Sequence, residues 1–249
     1  MKIVTLNVNG FRGMAENGSK VTNSEWRSNL KELKALIDSL EIDEESIVIL
    51  QEIPHQKLVN RSMWQWEETK MFHSFQELFE ADYDIFYPRY LICSKQCTVA
   101  LGRKHTKWRY APKGIIQYNR KHDYGNKLVE LEKDGVTLLG VHVSPYDDMW
   151  NMLLDSLDKN NVTYIAGDFN ANEKRGAMKH KPQQLREKGY CSLIPCNVIT
   201  DIRDQTSLDN LYVCADNLLT DGIKTEICHT GPFVTDHMMC IFEINPKRV

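Results

Sequence analysis

Short apolar runs of strand length recur along the whole chain, and several of them stop at a strongly polar residue. Residues 2–8 and 46–51 are short and β-branched, as buried strands are. Between them Trp26, Leu30, Leu33, Ile37 and Leu40 recur at helical steps, with Thr22 and Glu25 at capping-box spacing, so the spacing predicts a helix. A second helix is expected over 64–80, with Phe72, Phe75 and Phe79 on its core stripe. Short strands are then expected at 84–87, 90–94, 97–102, 114–119, 127–132 and 136–143, the last two joined by a turn at Asp134-Gly135. A helix over 146–159, a strand at 162–166 and a basic segment to 190 follow. Strands at 196–199, 210–214, 222–228 and 238–244 close the chain. No repeat, low-complexity tract or linker divides the sequence, so 1–249 reads as one domain. Two groups of strands with helices between and around them predict packed sheets covered by helices, an α/β sandwich.

The polar residues at the strand ends carry the chemistry. Asn7, Glu52, His142 and the pair Asp168 and Asn170 stand at C-terminal ends, whereas Asp209 and Asp236-His237 precede the strands that follow them. If those last strands run opposite to the others, all of these groups reach one rim, which predicts mixed sheets and a single polar cleft. Carboxylates with amides and imidazoles suit a hard divalent cation such as Mg²⁺ (or Mn²⁺), held by one or two carboxylates and a substrate phosphate. Glu52 is the first choice of ligand. Asp168 is placed to orient or deprotonate a water, Asn7 and Asn170 to hold phosphate, and His237 to work beside Asp209. The parts fit in-line displacement at phosphorus. Each residue also has a plain structural role open to it: Asp168 in a turn, Asn7 as a satisfied buried amide, His142 as a core histidine.

The formal net charge is −3, so the chain as a whole is no general polyanion binder. Its distribution is uneven. Between Arg103 and Lys127 eight lysines and arginines face a single acid, Asp123, and between Glu173 and Tyr190 six face two. Lys107-Trp108-Arg109-Tyr110 in the first segment, and Lys174 with Arg175 in the second, are candidate nucleic-acid contacts, cations for phosphates and aromatics for bases. A solvated hairpin face explains the first segment equally well. Seven scattered cysteines fit a reducing compartment and buried apolar roles rather than a disulfide framework or zinc site. No apolar run nears the ~18 residues that span a bilayer, and no leader pattern opens the chain, so a cytoplasmic monomer is expected.

The motifs resemble those of the endonuclease/exonuclease/phosphatase superfamily. Leu6-Asn7-Val8-Asn9-Gly10-Phe11-Arg12 is similar to its first motif, Leu50-Gln51-Glu52 to its metal motif, and Gly167-Asp168-Phe169-Asn170 to its Gly-Asp-x-Asn signature. Ser207-Leu208-Asp209 and Thr235-Asp236-His237 resemble the last two. The resemblance implies a four-layered α/β sandwich of two mixed β-sheets flanked by helices, and Mg²⁺- or Mn²⁺-dependent phosphoester hydrolysis. It also implies metal binding by Glu52 with Asn7 and Asp236, alignment of nucleophile and phosphate by Asp168 and Asn170, and an Asp209–His237 pair at the phosphate. Asn9 and Arg12 are carried over as substrate contacts. His142 stands where exonuclease III relatives usually place tyrosine, a departure shared with deoxyribonuclease I and sphingomyelinases, and is a second acid/base candidate. The expected activity is that of a nuclease on DNA. The alternatives are a hydrolase of small phosphorylated molecules or phospholipid head groups and a catalytically inactive binding module.

Overall fold

The computed structural model describes residues 1–12, 25–91, 93–116, 124–171, 178–203, 205–214, 223–228, 230 and 235–245. It contains strands β1 (Lys2–Asn7), β2 (Ile47–Pro54), β3 (Gln56–Asn60), β4 (Gln65–Glu68), β5 (Tyr83–Phe86), β6 (Gln96–Arg103) and β7 (Arg109–Tyr110). After these come β8 (Leu128–Lys133), β9 (Val136–His142), β10 (Tyr164–Asp168), β11 (Tyr190–Ser192), β12 (Asp209–Cys214), β13 (Ile223–Cys228) and β14 (Met239–Ile244). The helices are α1 (Trp26–Ser39), α2 (Lys70–Phe79), α3 (Asp147–Leu157) and α4 (Lys181–Glu187).

Two six-stranded mixed sheets form, in the orders β13-β14-β1-β2-β6-β5 and β11-β12-β10-β9-β8-β7. Residues of alternating parity in each strand serve two different cores. Val4, Leu6, Val48 and Leu50 pack under α1 and α2, while Ile3, Ile47 and Ile49 meet Leu138, Tyr164, Ala166 and Leu211 between the sheets. Leu139, Val141 and Ile165 face α3 and α4. Helices, sheet, sheet and helices make four layers, the expected sandwich. Phe75 and Phe79 of α2 are fully buried, each stabilising the fold by about 1.5–3 kcal/mol relative to exposure.

β12 is antiparallel to β10 and β14 to β1, while β1 and β2 run parallel, as do β9 and β10. Entry ends of the late strands therefore lie beside exit ends of the early ones. Asp134 and Gly135 take positive φ, 49° and 80°, in the tight turn that pairs Lys133 with Val136.

Several expectations need correction. Residues 65–68 are a strand rather than helix: Thr69 is the N-cap of α2, its extended backbone and an Oγ1 that accepts from Phe72 N stopping the helix there. β4 pairs with β3 in a separate two-stranded ribbon. Residues 114–116 are irregular, as are the described residues of 90–94, and 196–199 is a turn. Thr22, the proposed cap of α1, lies outside the described residues, and Glu25 makes no side-chain cap. Of the seven cysteines, all unpaired, only Cys97 and Cys240 are buried and Cys93 is exposed. Among the described residues no helix is long and apolar enough to cross a membrane.

Candidate active site

Cross-strand register builds the site. His142 of β9 lies beside Asp168 of β10, and Asp168 beside Asp209 of β12. All three share parity with residues facing the inter-sheet core, so their side chains form one row on the inner face of the second sheet. Asn7 has the inward parity of Ile3 on the first sheet, and its Nδ2 spans the gap to donate to Asp168 Oδ2 at 2.9 Å.

Glu52 has the wrong parity, that of Val48 and Leu50. A register shift in β2 between Leu50 and Ile53 accommodates an extra residue opposite β6, and Glu52 itself adopts φ 59°. This bulge re-aims the carboxylate inward, at a backbone cost of about 1–2 kcal/mol for a non-glycine residue. Glu52 Oε1 accepts from Asn7 Nδ2 at 3.3 Å and Oε2 from Gln96 Nε2 at 2.7 Å. Asn9 (φ 45°) and Asn170 (φ 47°) at the same rim are also left-handed, so backbone strain gathers where these groups do. Gly167 is forced: a Cβ there would lie 1.9 Å from Val141 O.

His237 arrives from the lead-in to β14. Its Nδ1 lies 2.8 Å from Asp209 Oδ2, and both residues are buried. Thr200 and Asp201 clamp this pair. Thr200 Oγ1 accepts from Asp209 N at 2.9 Å, Met238 N donates to Thr200 O, and Asp201 bridges to His237. Asn170 N donates to Asp168 Oδ1 at 2.8 Å, while its side-chain amide donates to Val143 O.

Environment drives the two histidines apart. Burial pulls His237 down, but Asp209, Asp168 and Asp201 together outweigh it and hold its pKa up at about 10. Burial pulls His142 down to about 4, assisted by Lys127 and His237 against Asp168. At neutral pH one imidazole is cationic and the other neutral. Burial, then Asp209, raises Asp168, which makes it a stronger base than a surface carboxylate.

Not every expected residue joins this group. The Asp236 carboxylate is committed to Arg203, 3.3 Å away. Asn9 contributes its backbone, with N donating to Asn7 Oδ1, and Arg12 lines a cleft beside Glu52. The expectation for Trp108 and Arg109 is corrected. Trp108 is buried between the sheets with Nε1 on Glu45 O, and Arg109 pairs with Glu132. Glu45 precedes β2, roughly 23 Å along the strand from Glu52. Lys104 and Lys107 of the same basic segment are likewise paired, with Asp84 and Glu44. Lys174 and Arg175 lie outside the described residues.

Two contributors were missed. Lys127 is, among the described residues of its segment, the cation within electrostatic range of Glu52 and Asp168; burial lowers its pKa against the pull of both. Gln96 orients Glu52 and is itself held by Asn126, whose amide donates to Gln96 O. The sequence signal for Lys127 was its place just before β8, beside a strand that ends at the rim.

No protein-family model and no curated protein sequence matches the chain. Solved structures do. The endonuclease domain of TRAS1, a telomere-specific non-LTR retrotransposon, aligns over 99% of both chains at 15% identity with a TM-score of 0.59. An endonuclease/exonuclease/phosphatase from Bacteroides vulgatus covers 99% of this chain and 98% of its own at 12% identity, TM-score 0.63. The fold is that of the endonuclease/exonuclease/phosphatase superfamily. The 3′ phosphatase NExo from Neisseria, solved with a product DNA hairpin, shares this fold at 13% identity over 98% and 99% of the two chains, TM-score 0.62.

The donor set fits a divalent cation. Asp168, Asp209 and His237 offer ligand atoms within 4.8 Å of one another, and Asp209 Oδ1 is buried with no hydrogen-bond partner among the described residues. With His237 Nδ1 engaged by Asp209, the oxygen donors at the rim are the carboxylates of Asp168, Asp209 and Glu52, while Asn7 turns its Nδ2 to Asp168 and Glu52 and its Oδ1 to Asn9 N.

Proposed function

We propose that this chain is a divalent-metal-dependent phosphodiester hydrolase, a nuclease whose substrate is DNA, working by in-line attack of water on phosphorus. The observation that carries the reading is the row His142, Asp168, Asp209 facing Asn7 and Glu52 across the sheet gap. Glu52 would hold Mg²⁺ or Mn²⁺, with Asn7 Nδ2 bridging it to Asp168, and the ion would supply Lewis-acid polarisation of a phosphoryl oxygen and a lowered pKa for water or leaving oxygen. Asp168 orients the attacking water and accepts its proton. Protonated His237, kept charged by Asp209, donates to the phosphate and stabilises the charge that develops there. Lys127 adds positive charge near Glu52 and Asp168, and Asn170 N holds Asp168 Oδ1. The DNA-acting relatives of this fold, TRAS1 endonuclease and NExo, favour a nucleic-acid substrate.

The test is hydrolysis of plasmid, abasic-site duplex, RNA and bis(4-nitrophenyl) phosphate with Mg²⁺ or Mn²⁺, each with and without chelator. Chelator-sensitive cleavage of DNA supports the reading. Activity that survives chelation removes the metal, and hydrolysis of the small diester alone removes the nuclease assignment.

A further inference from the structure

β3 and β4 form a ribbon standing outside both large sheets. A lone two-stranded ribbon is marginal in water, and this one is rooted at its base: Thr69 N donates to His55 O, His55 N to Lys95 O and Gln56 N to Ser94 O. Its far end is hydrogen-bonded too. Asn60 Oδ1 accepts from Ser62 N, Ser62 Oγ and Met63 N, fixing the turn that carries Arg61, Met63 and Trp64.

Between the ribbon and the loop after β1 runs a cleft of about 560 Å³. Four cations line it, Arg12, Lys57, Arg61 and Lys95, and among the described residues no carboxylate does. None of the four makes an ion pair among the described residues, whereas Lys34, Lys104, Lys107, Lys133 and Lys188 all do. Thr69 and Met71 bring the N-terminal turn of α2, its positive dipole end, to the same wall. The cleft joins the catalytic rim directly: Gln96 lines it while donating to Glu52 Oε2, and the Arg12 guanidinium and Gln96 amide both lie over Gly10. At the ribbon tip Trp64 is 74% and Met63 69% exposed, an unusual amount of open apolar surface beside Arg61.

We propose that this cleft is a track for an unpaired polynucleotide strand, its phosphates between Arg12, Lys57, Arg61 and Lys95 and a base stacked on the Trp64 indole. Unpaired cations next to a reacting phosphate fit a repeating anion, and an open indole face stacks any base the strand presents. An intact duplex keeps its bases stacked on each other and offers none to the indole. The inference rests on the phosphodiesterase reading for its direction, since the strand runs from the cleft to Glu52. It puts the substrate on the ribbon side of the rim, away from the paired cations around Trp108.

The experiment measures fluorescence anisotropy of a labelled single-stranded DNA of about 12 nucleotides in EDTA, between about 50 and 200 mM salt, with a duplex of the same sequence alongside. Lys57→Gln with Arg61→Gln removes two phosphate contacts. The log–log salt slope should then shrink by about 1.4, and binding should weaken about 25-fold at 0.1 M salt. Trp64→Ala should weaken binding roughly 5- to 150-fold, with Trp64→Phe recovering most of it. Lys104→Gln with Lys224→Gln should change nothing, and bis(4-nitrophenyl) phosphate hydrolysis should be unaltered in every variant. Tighter duplex than single-strand binding, an unchanged salt slope in the Lys57/Arg61 variant, or capture of anionic phospholipid vesicles in place of DNA would each overturn the track. Strand binding lost in these variants by a protein that hydrolyses no phosphoester would sustain the track and remove the catalytic reading. Small-diester turnover without strand binding would do the reverse.

Discussion

Asp209→Asn separates the two roles open to His237. In the wild-type protein a carboxylate oxygen 2.8 Å from Nδ1, in a pair with almost no solvent access, sustains a pKa of about 10. A unit charge about 4 Å away at an effective dielectric near 20 is worth about 4 kcal/mol, or about three pKa units. The amide retains the shape but not the charge, so His237 should titrate near 7 or lower, and at pH 8 no more than about a tenth of it stays protonated. If cationic His237 is the working form, kcat/KM on bis(4-nitrophenyl) phosphate at pH 8 falls at least tenfold from titration alone. The alkaline limb of the profile moves from about pH 10 to about pH 7. A histidine acting as base needs the neutral form, so the same substitution would then raise the rate at pH 7–8. That rise, or an alkaline limb that does not move, refutes the assignment. Melting in EDTA gives a second check with its own sign. A folded-state pKa raised above 6.5 contributes stability that is complete below about pH 6.5 and disappears as pH climbs towards 10. The wild-type protein should therefore lose more melting temperature across that window than the variant. The difference should be on the order of 10 °C if the full ~4 kcal/mol is realised at 2–4 °C per kcal/mol.

Asp168→Asn should abolish turnover yet raise the melting temperature by a few degrees at pH 8. A carboxylate whose pKa burial and Asp209 push upward destabilises the fold in its ionised form, and the amide removes that cost; a lowered melting temperature would contradict this. Lys127→Gln should reduce kcat/KM by about 10²-fold, the usual loss on deleting one group that stabilises transition-state charge. Part should return in Lys127→Arg, and unchanged steady-state rates would exclude Lys127 from the site. Gly167→Ala should destabilise by at least about 3 kcal/mol in urea melts, since its Cβ would lie 1.9 Å from the Val141 carbonyl oxygen; a shift under 1 kcal/mol would show that β9 and β10 can part more easily than their packing indicates.

Legibility of the fold followed burial. Strands covered on both faces, such as Ile47–Pro54 and Met239–Ile244, read as continuous apolar runs and were placed from sequence within a few residues. The ribbon was hidden because Gln56–Asn60 and Gln65–Glu68 bury neither face, leaving no apolar alternation to read, and the helical period of Phe72, Phe75 and Phe79 was carried too far back across Thr69. Arg109–Tyr110 and Tyr190–Ser192 are too short to register any period. The basic segment misled for another reason. A run of cations shows that charge is present but not which acids answer it, and here Glu44, Glu45, Asp84 and Glu132, distant in sequence, answer Lys104, Lys107 and Arg109.

The site was legible to the degree that parity determines direction. Asn7, His142, Asp168 and Asp209 stand two or four residues from apolar neighbours that must enter the inter-sheet core, so alternation alone sends them to one rim once the strands pair. Glu52 breaks that logic. Counting from Val48 and Leu50 assigns it to the helix layer, and only an extra residue opposite β6 together with a left-handed φ turns it to Asn7. Gln96 is illegible for a related reason: its role follows from meeting Glu52, and Glu52 sits where alternation would not put it. The cost of the bulge falls at one residue, and what it secures is a carboxylate on the far sheet opposite Asp168. Without that turn the second sheet would still hold its row of His142, Asp168 and Asp209, but the first would face it with a single amide.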